Sequence, residues 1–258
     1  MYDSAKRASR ERCAWEQAYT AGTSAHERYL WTKRIERVSH IERQFYRRLD
    51  RFSGMRILSI GGGVDRVANY LASRGNRVIS ADISFNAATA TRNFDGLSSI
   101  PRVHPVVADC QEQCFQNRSF DAVVSKRALH HMDITRVASI VYELLVSGGI
   151  FLAEEPICLS PLLRSIHREV PFHPQAIRTE DERELGGDDL QVLGTRFHSM
   201  NIRYFDLFAR ESIAYCLCRL RLDSILLKPL GRLDDFAANQ CLPWLRRFCS
   251  YAIIECRK

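Results

Sequence analysis

The sequence predicts an α/β fold in which a mostly parallel sheet carries helices on both faces, and three observations predict it. Five short, apolar, β-rich runs alternate with segments of helical periodicity between residues 56 and 154, the order that builds a parallel sheet with right-handed crossovers. The runs are apolar enough to be covered on both faces. The first of them ends in a tight turn, Gly61-Gly62-Gly63, directly before a helical pattern. Two later strands with a helical insertion between them extend the sheet to seven.

Taken in order, residues 4–50 place Trp15, Tyr19, Tyr29, Leu30, Trp31, Ile35, Val38, Ile41, Phe45, Tyr46 and Leu49 mostly at steps of three and four. That spacing predicts two or three amphipathic helices, broken near Ala21-Gly22-Thr23-Ser24. The strands follow as 56–60, 77–81, 103–108, 120–125 and 149–154, with helices at about 64–74, 84–93, 110–116 and 134–147. Beyond 155 come a short helix at 160–168, a charged loop, a helix at 188–196, a strand at 201–208, apolar segments over 211–245 and a last strand at 250–256. The organisation expected is an N-terminal helical cap over 1–52 and a main domain over 53–258. Its segments at about 157–198 and 209–246 vary the edge of the site.

With 37 basic and 30 acidic residues the formal charge is +7. The cations that concentrate before residue 57 alternate with Glu11, Glu16, Glu27, Glu36 and Glu42, the pattern of a solvated helix face. A docking patch for an acidic carrier protein is the alternative reading, and nucleic acid is not the expected partner. Nine cysteines form no C-x-x-C pair or zinc-ligand spacing. They read as reduced thiols, so a cytoplasmic location is expected, and no metal. No apolar run of about 18 residues occurs, so no membrane span is expected. The oligomeric state is left open.

Ligands of such sheets sit at the carboxyl ends of the strands. The glycine turn lets the backbone approach a ligand, with the partial positive end of the next helix aimed at it. About twenty residues on, Asp82 ends the second strand, where a carboxylate accepts the two hydroxyls of a ribose, a group common to NAD and S-adenosylmethionine. Asp109 ends the third strand and can accept the exocyclic amine of adenine; both aspartates can alternatively be helix caps. GGGVDR supplies only two glycines of the dinucleotide fingerprint, with Arg66 in the third place.

The glycine turn, Asp82, Asp109, SFDAVVSKRALHHM and LLVSGGIFLAEEP together resemble the class I S-adenosylmethionine-dependent methyltransferases, over roughly residues 50–156. The resemblance implies a Rossmann-like seven-stranded sheet and S-adenosylmethionine as the cofactor. It places Gly61, Gly62 and Gly63 under the methionine part, Asp82 on the ribose, Asp109 at the adenine and the backbone around Ser125 at the amino acid end. Ile83 and Cys110 would pack on the adenosine, and Tyr29 and Arg28 would close over the site. Two positions depart from the family pattern: Ser59 replaces its acidic residue, and Asp65 replaces its third glycine. Asp65 suits a helix cap better than a contact with the cofactor's charge.

Methyl transfer is an in-line displacement that needs a positioned, desolvated nucleophile and, for a protic acceptor, a base. The candidate bases are His130, His131 and His173, with His167 a further substrate contact. Arg127, His130 and His131 stand where the quinone O-methyltransferases carry a metal-binding Glu-x-x-Glu-His, which argues against a metal and against that reaction. The expected function is transfer of a methyl group to an O, N or C nucleophile of a small, hydrophobic or natural-product acceptor. Intramolecular cyclisation of the cofactor and an NAD(P)-dependent oxidoreduction are the alternatives.

Overall fold

The computed structural model describes residues 4–20, 22–24, 26–27, 40–94, 103–161, 163–164, 179, 182–207 and 223–258. Arg28, Tyr29, His167, His173 and residues 211–222 of the apolar segment lie outside the described residues.

Helix α1 (Ser4–Tyr19) and helix α2 (His40–Leu49) precede the sheet. Then come β1 (Arg56–Ile60), α3 (Arg66–Ser73), β2 (Arg77–Asp82), α4 (Phe85–Phe94), β3 (Val103–Val107), β4 (Phe120–Lys126), α5 (Ile134–Leu144) and β5 (Leu145–Pro156). The chain closes with α6 (Gly187–Arg196), β6 (Ser199–Phe205), α7 (Asp223–Phe236) and β7 (Tyr251–Arg257). The seven strands lie in the order β3-β2-β1-β4-β5-β7-β6. All pair in parallel except β7, which runs antiparallel to both β5 and β6.

Two apolar layers flank the sheet. On one side Ile41, Phe45 and Leu49 of α2 and Val67, Ala68 and Leu71 of α3 pack on Ile57, Val78, Ala122 and Val124. On the other, Val137 and Val141 of α5 and Leu190 and Leu193 of α6 pack on Leu58, Val123, Phe151 and Ile254. The strand order reverses between β1 and β4, so the crevice where a sheet of this kind binds ligands opens at the carboxyl ends of these two strands. Gly61 and Ser125 stand at or beside that crevice.

Two expected elements differ. Residues 110–116 form turns, not a helix. The Asp109 carboxylate takes the Gln111 amide at 2.9 Å, and the Glu112 amide closes on the Asp109 carbonyl, so local bonds compete with the helical ladder. Helix α5 ends at Leu144 where the sequence suggests 147, because Leu145 already pairs with Phe120. The register then shifts, and Gly148, at φ 74°, lies in the irregular stretch.

Candidate active site

The glycine turn is built from close approaches. Gly61 and Gly63 adopt φ of 62° and 60°, a region that L side chains avoid. A Cβ at Gly61 would overlap Ala128, one at Gly62 the Asp65 carboxylate, and one at Gly63 the Tyr19 hydroxyl. All three glycines therefore have a steric reason, and each reason is a different element folded over the turn.

Asp65 is 1 % exposed. Its Oδ1 accepts the Ala68 amide at 2.7 Å, capping α3, and its Oδ2 accepts the Ser80 hydroxyl at 2.7 Å. Its own amide donates to Thr91 Oγ1, which in turn donates to the Gly63 carbonyl. The carboxylate is thus committed to the helix and to β2, and capping is the role its geometry shows.

Asp82 joins the turn to the end of β2. One oxygen accepts the Gly63 amide and the other the Ser84 amide, both at 2.9 Å. Burial pushes its pKa up to about 6, against the lowering effect of those two amides. Each oxygen keeps acceptor capacity, since a carboxylate has about four lone-pair sites. Ile83 is half-buried and Cys110 buried, its thiol pushed up by burial and by the nearby Asp82 and Asp109. Asp109 Oδ1 accepts both the amide and, at 3.3 Å, the side-chain nitrogen of Gln111, whose Oε1 accepts the Asp133 amide ahead of α5.

Ser125 is fully buried and donates to Glu155 Oε1 at 3.1 Å. The same oxygen accepts the amides of Ala128 and Leu129 at 3.0 and 2.9 Å, and Oε2 lies 2.8 Å from His130 Nδ1. Burial would raise the Glu155 carboxyl, yet these donors, His130 foremost, hold it below the usual range. Sequence reasoning passed over this residue, although a Glu-Glu pair closing an apolar strand is a visible signal.

The short 3-10 turn Leu129–His131 brings His130 and His131 together, ring centroids 4.1 Å apart and both buried. His131 Nδ1 is 3.2 Å from Glu11 Oε2 and 3.1 Å from Thr179 Oγ1. The Trp15 ring meets the His131 ring edge-on at 5.4 Å, and Trp15 lies 5.9 Å from Tyr19. Glu11, Trp15 and Tyr19 stand four residues apart, so α1 presents them on one face, from the histidines to Gly63. Glu16 accepts the Phe85 and Asn86 amides at 2.5 and 3.1 Å, capping α4 from outside.

These contacts correct one expectation. Glu11, Glu16 and Glu42 are not members of a solvated face: Glu11 meets His131, Glu16 a helix N-terminus, and Glu42 the Lys126 ammonium at 2.7 Å. The surface that α1 and α2 cover is itself polar, so a polar helical residue is buried there. On the other side of the β4–β5 end, Glu154 is fully buried and takes Arg127 Nε at 3.1 Å, with the Arg127 guanidinium over the Tyr251 ring. Among the described residues no group of histidine, cysteine, aspartate or glutamate side chains is arranged to hold a metal ion, and no helix is long and apolar enough to cross a membrane.

Comparison with known proteins adds the chemistry of the family. Residues 58–153 match a methyltransferase domain model. Two structures of a Haemonchus contortus phosphoethanolamine N-methyltransferase, one with S-adenosyl-L-methionine and one with S-adenosylhomocysteine, are 19 % identical to this chain with TM-scores of 0.57 and 0.55. They align with 83 % of it, and the chain spans about half their length, 51 %. A Thermotoga maritima S-adenosylmethionine-dependent methyltransferase, described as a possible histamine N-methyltransferase, is 15 % identical, with a TM-score of 0.61 over 89 % of this chain and 94 % of its own. The [4+2]-cyclase SpnF is 17 % identical, with a TM-score of 0.50 over 80 % of this chain and 75 % of its own. The matched residues are those of a methyltransferase domain, and the fold is shared with these S-adenosylmethionine-dependent methyltransferases.

Proposed function

We propose that the chain uses the methyltransferase domain of residues 58–153 to move the methyl group of S-adenosylmethionine to a nucleophilic atom of a small acceptor. The observation that carries this reading is the bond from the Gly63 amide to Asp82 at 2.9 Å. It fixes a buried carboxylate with spare acceptor capacity beside the glycine turn, at the carboxyl edge of the sheet where the strand order reverses.

When bound, the cofactor supplies an electrophilic methyl carbon on a sulfonium. Asp82 would accept the ribose hydroxyls, Gly61 to Gly63 would let the backbone lie against the methionine part, and Ile83 and Cys110 would wall the adenosine. Asp109 keeps the adenine role with its free Oδ2 lone pairs; the backbone at Ser125 keeps the amino acid end, while its side chain holds Glu155. His130, oriented by Glu155, and His131, oriented by Glu11, are the proton acceptors of this reading. Tyr29, Arg28 and His173 remain candidates from the sequence for closing over the site and for substrate contact. The acceptor is proposed to be hydrophobic or metabolite-sized, and a carrier protein remains possible as its bearer. The H. contortus enzyme is named for an amine acceptor, but at 19 % identity the acceptor of this chain must be argued from its own residues.

Calorimetry with S-adenosylmethionine and S-adenosylhomocysteine tests the reading: micromolar binding lost in Asp82→Ala is expected. Binding of NADH without either adenosyl compound would replace it with an oxidoreductase. Incubation with S-adenosylmethionine and no acceptor, followed by mass spectrometry, separates methyl transfer from intramolecular cyclisation of the cofactor: methylthioadenosine released without acceptor would favour cyclisation.

A further inference from the structure

The Glu11 carboxylate is half used. Its side chain is 6 % exposed, Oε2 lies 3.2 Å from His131 Nδ1, and the same oxygen accepts the Trp15 indole N–H at 3.1 Å. Oε1 is buried with no hydrogen-bond partner. Burial would raise this carboxyl, but the hydrogen bond and charge of His131, helped by Thr179 and Trp15, hold it below the usual range. A buried, ionised oxygen without a donor is costly, and the missing donor is the ordinary sign of a ligand.

The surroundings specify the donor. Oε1 belongs to a carboxyl whose other oxygen touches both Trp15 and His131, so it lies beside the two histidines under α1. Glu155 lies 2.8 Å from His130 Nδ1, and Glu182 lies 3.9 Å from His130 Nε2. Three carboxylates thus surround two imidazoles, with an indole alongside. A neutral alcohol would satisfy one lone pair and leave this field unbalanced, whereas an ammonium supplies up to three donors and a positive charge, which an aromatic face also favours.

We propose that Glu11 Oε1 is the docking point of the acceptor's nitrogen, and that the acceptor is a small cationic amine. This rests on the methyltransferase reading above and narrows its acceptor. The bound ammonium becomes nucleophilic by breaking one N–H bond: the electron pair stays on nitrogen and the proton passes to the His131 imidazole, whose charge the Glu11 carboxylate stabilises.

The test uses the full chain saturated with S-adenosylhomocysteine, whose own binding is measured first. If that compound does not bind, the methyltransferase reading falls and the acceptor is not at issue. Amine and alcohol pairs on one skeleton, tryptamine with tryptophol and tyramine with tyrosol, are then titrated by calorimetry, with ethanolamine and ethylene glycol as the smallest pair. The expected result is that amines bind at least about tenfold tighter than their alcohols. Glu11→Gln should weaken the amine at least about tenfold, leave S-adenosylhomocysteine affinity unchanged, and be partly rescued by Glu11→Asp. Alcohols binding as well as amines, no amine binding at all, or Glu11→Gln without effect would each overturn it. Far-UV circular dichroism of both variants separates lost recognition from lost folding.

Discussion

Lowering the pH from 7 to 5 should weaken cofactor binding about tenfold through one group, Asp82. Its carboxyl titrates at about 6, raised by burial against the amides of Ser84 and Gly63. If the ribose hydroxyls donate to the ionised form, affinity follows the ionised fraction, about nine-tenths at pH 7 and about one-tenth at pH 5. The ratio corresponds to about 1.4 kcal/mol. The sign for stability is opposite. A carboxyl whose folded value lies above its ordinary 3.8 stabilises the ligand-free protein most below that value, and the contribution is lost as pH rises through about 6. Over the whole window it amounts to about 3 kcal/mol. Calorimetry with S-adenosylhomocysteine at half-unit steps from pH 5 to 7.5 reads the first effect, and urea unfolding of the ligand-free chain reads the second. Asp82→Asn is the control: it should bind weakly and without a pH slope between 5 and 7. A flat profile in the unsubstituted protein, or an unchanged slope in Asp82→Asn, would refute the assignment of Asp82 to the ribose.

Three further outcomes are expected. Asp65→Gly should cost about 1–3 kcal/mol in urea unfolding, mostly because Ser80 loses its buried acceptor, while S-adenosylhomocysteine affinity stays within about twofold; adding Ser80→Ala should recover most of the stability. Glu155→Ala removes the shared acceptor of Ser125, Ala128, Leu129 and His130, so a loss of roughly 3–5 kcal/mol is expected, read from the urea midpoint. Gly61→Ala forces a side chain at φ 62° and into Ala128; it should reduce cofactor affinity at least about tenfold, by calorimetry, in a protein whose far-UV spectrum is unchanged.

The sheet was legible because its information is local. Each strand from β1 to β5 is a contiguous apolar run, and the expected bounds agree with the observed ones to within a residue or two, except at the start of β5. The failures have local causes as well. At 110–116 the helical pattern was real, but Asp109 and Gln111 bond to nearby backbone and hold the chain in turns. At 145 a cross-strand pairing with Phe120 overrides three residues of helix. The residues proposed for the cofactor could be located for the same reason, since Gly61, Asp82 and Asp109 each lie at or just past the end of a strand. The acceptor side was not. Glu11, Trp15 and Tyr19 meet residues more than forty positions away, and their spacing alone is that of any amphipathic helix.

That difference explains why charge patterning misread α1. Alternating charge on a helix indicates solvent only when the opposing surface is apolar or absent. Here the opposing surface is the carboxyl edge of a parallel sheet, where helix N-termini, catalytic-type histidines and exposed amides gather. A helix laid across that edge buries polar groups because they have partners there: Glu16 on the α4 amides, Glu11 on His131 and Trp15. The eight residue steps from Glu11 to Tyr19 span about 12 Å of helix, enough to reach from the histidines to the glycine turn. One rigid element therefore touches both the histidines and the glycine turn. An oxygen left without a donor on such an element is hard to attribute to loose packing, because the contacts at Tyr19 and Glu16 already fix where it lies.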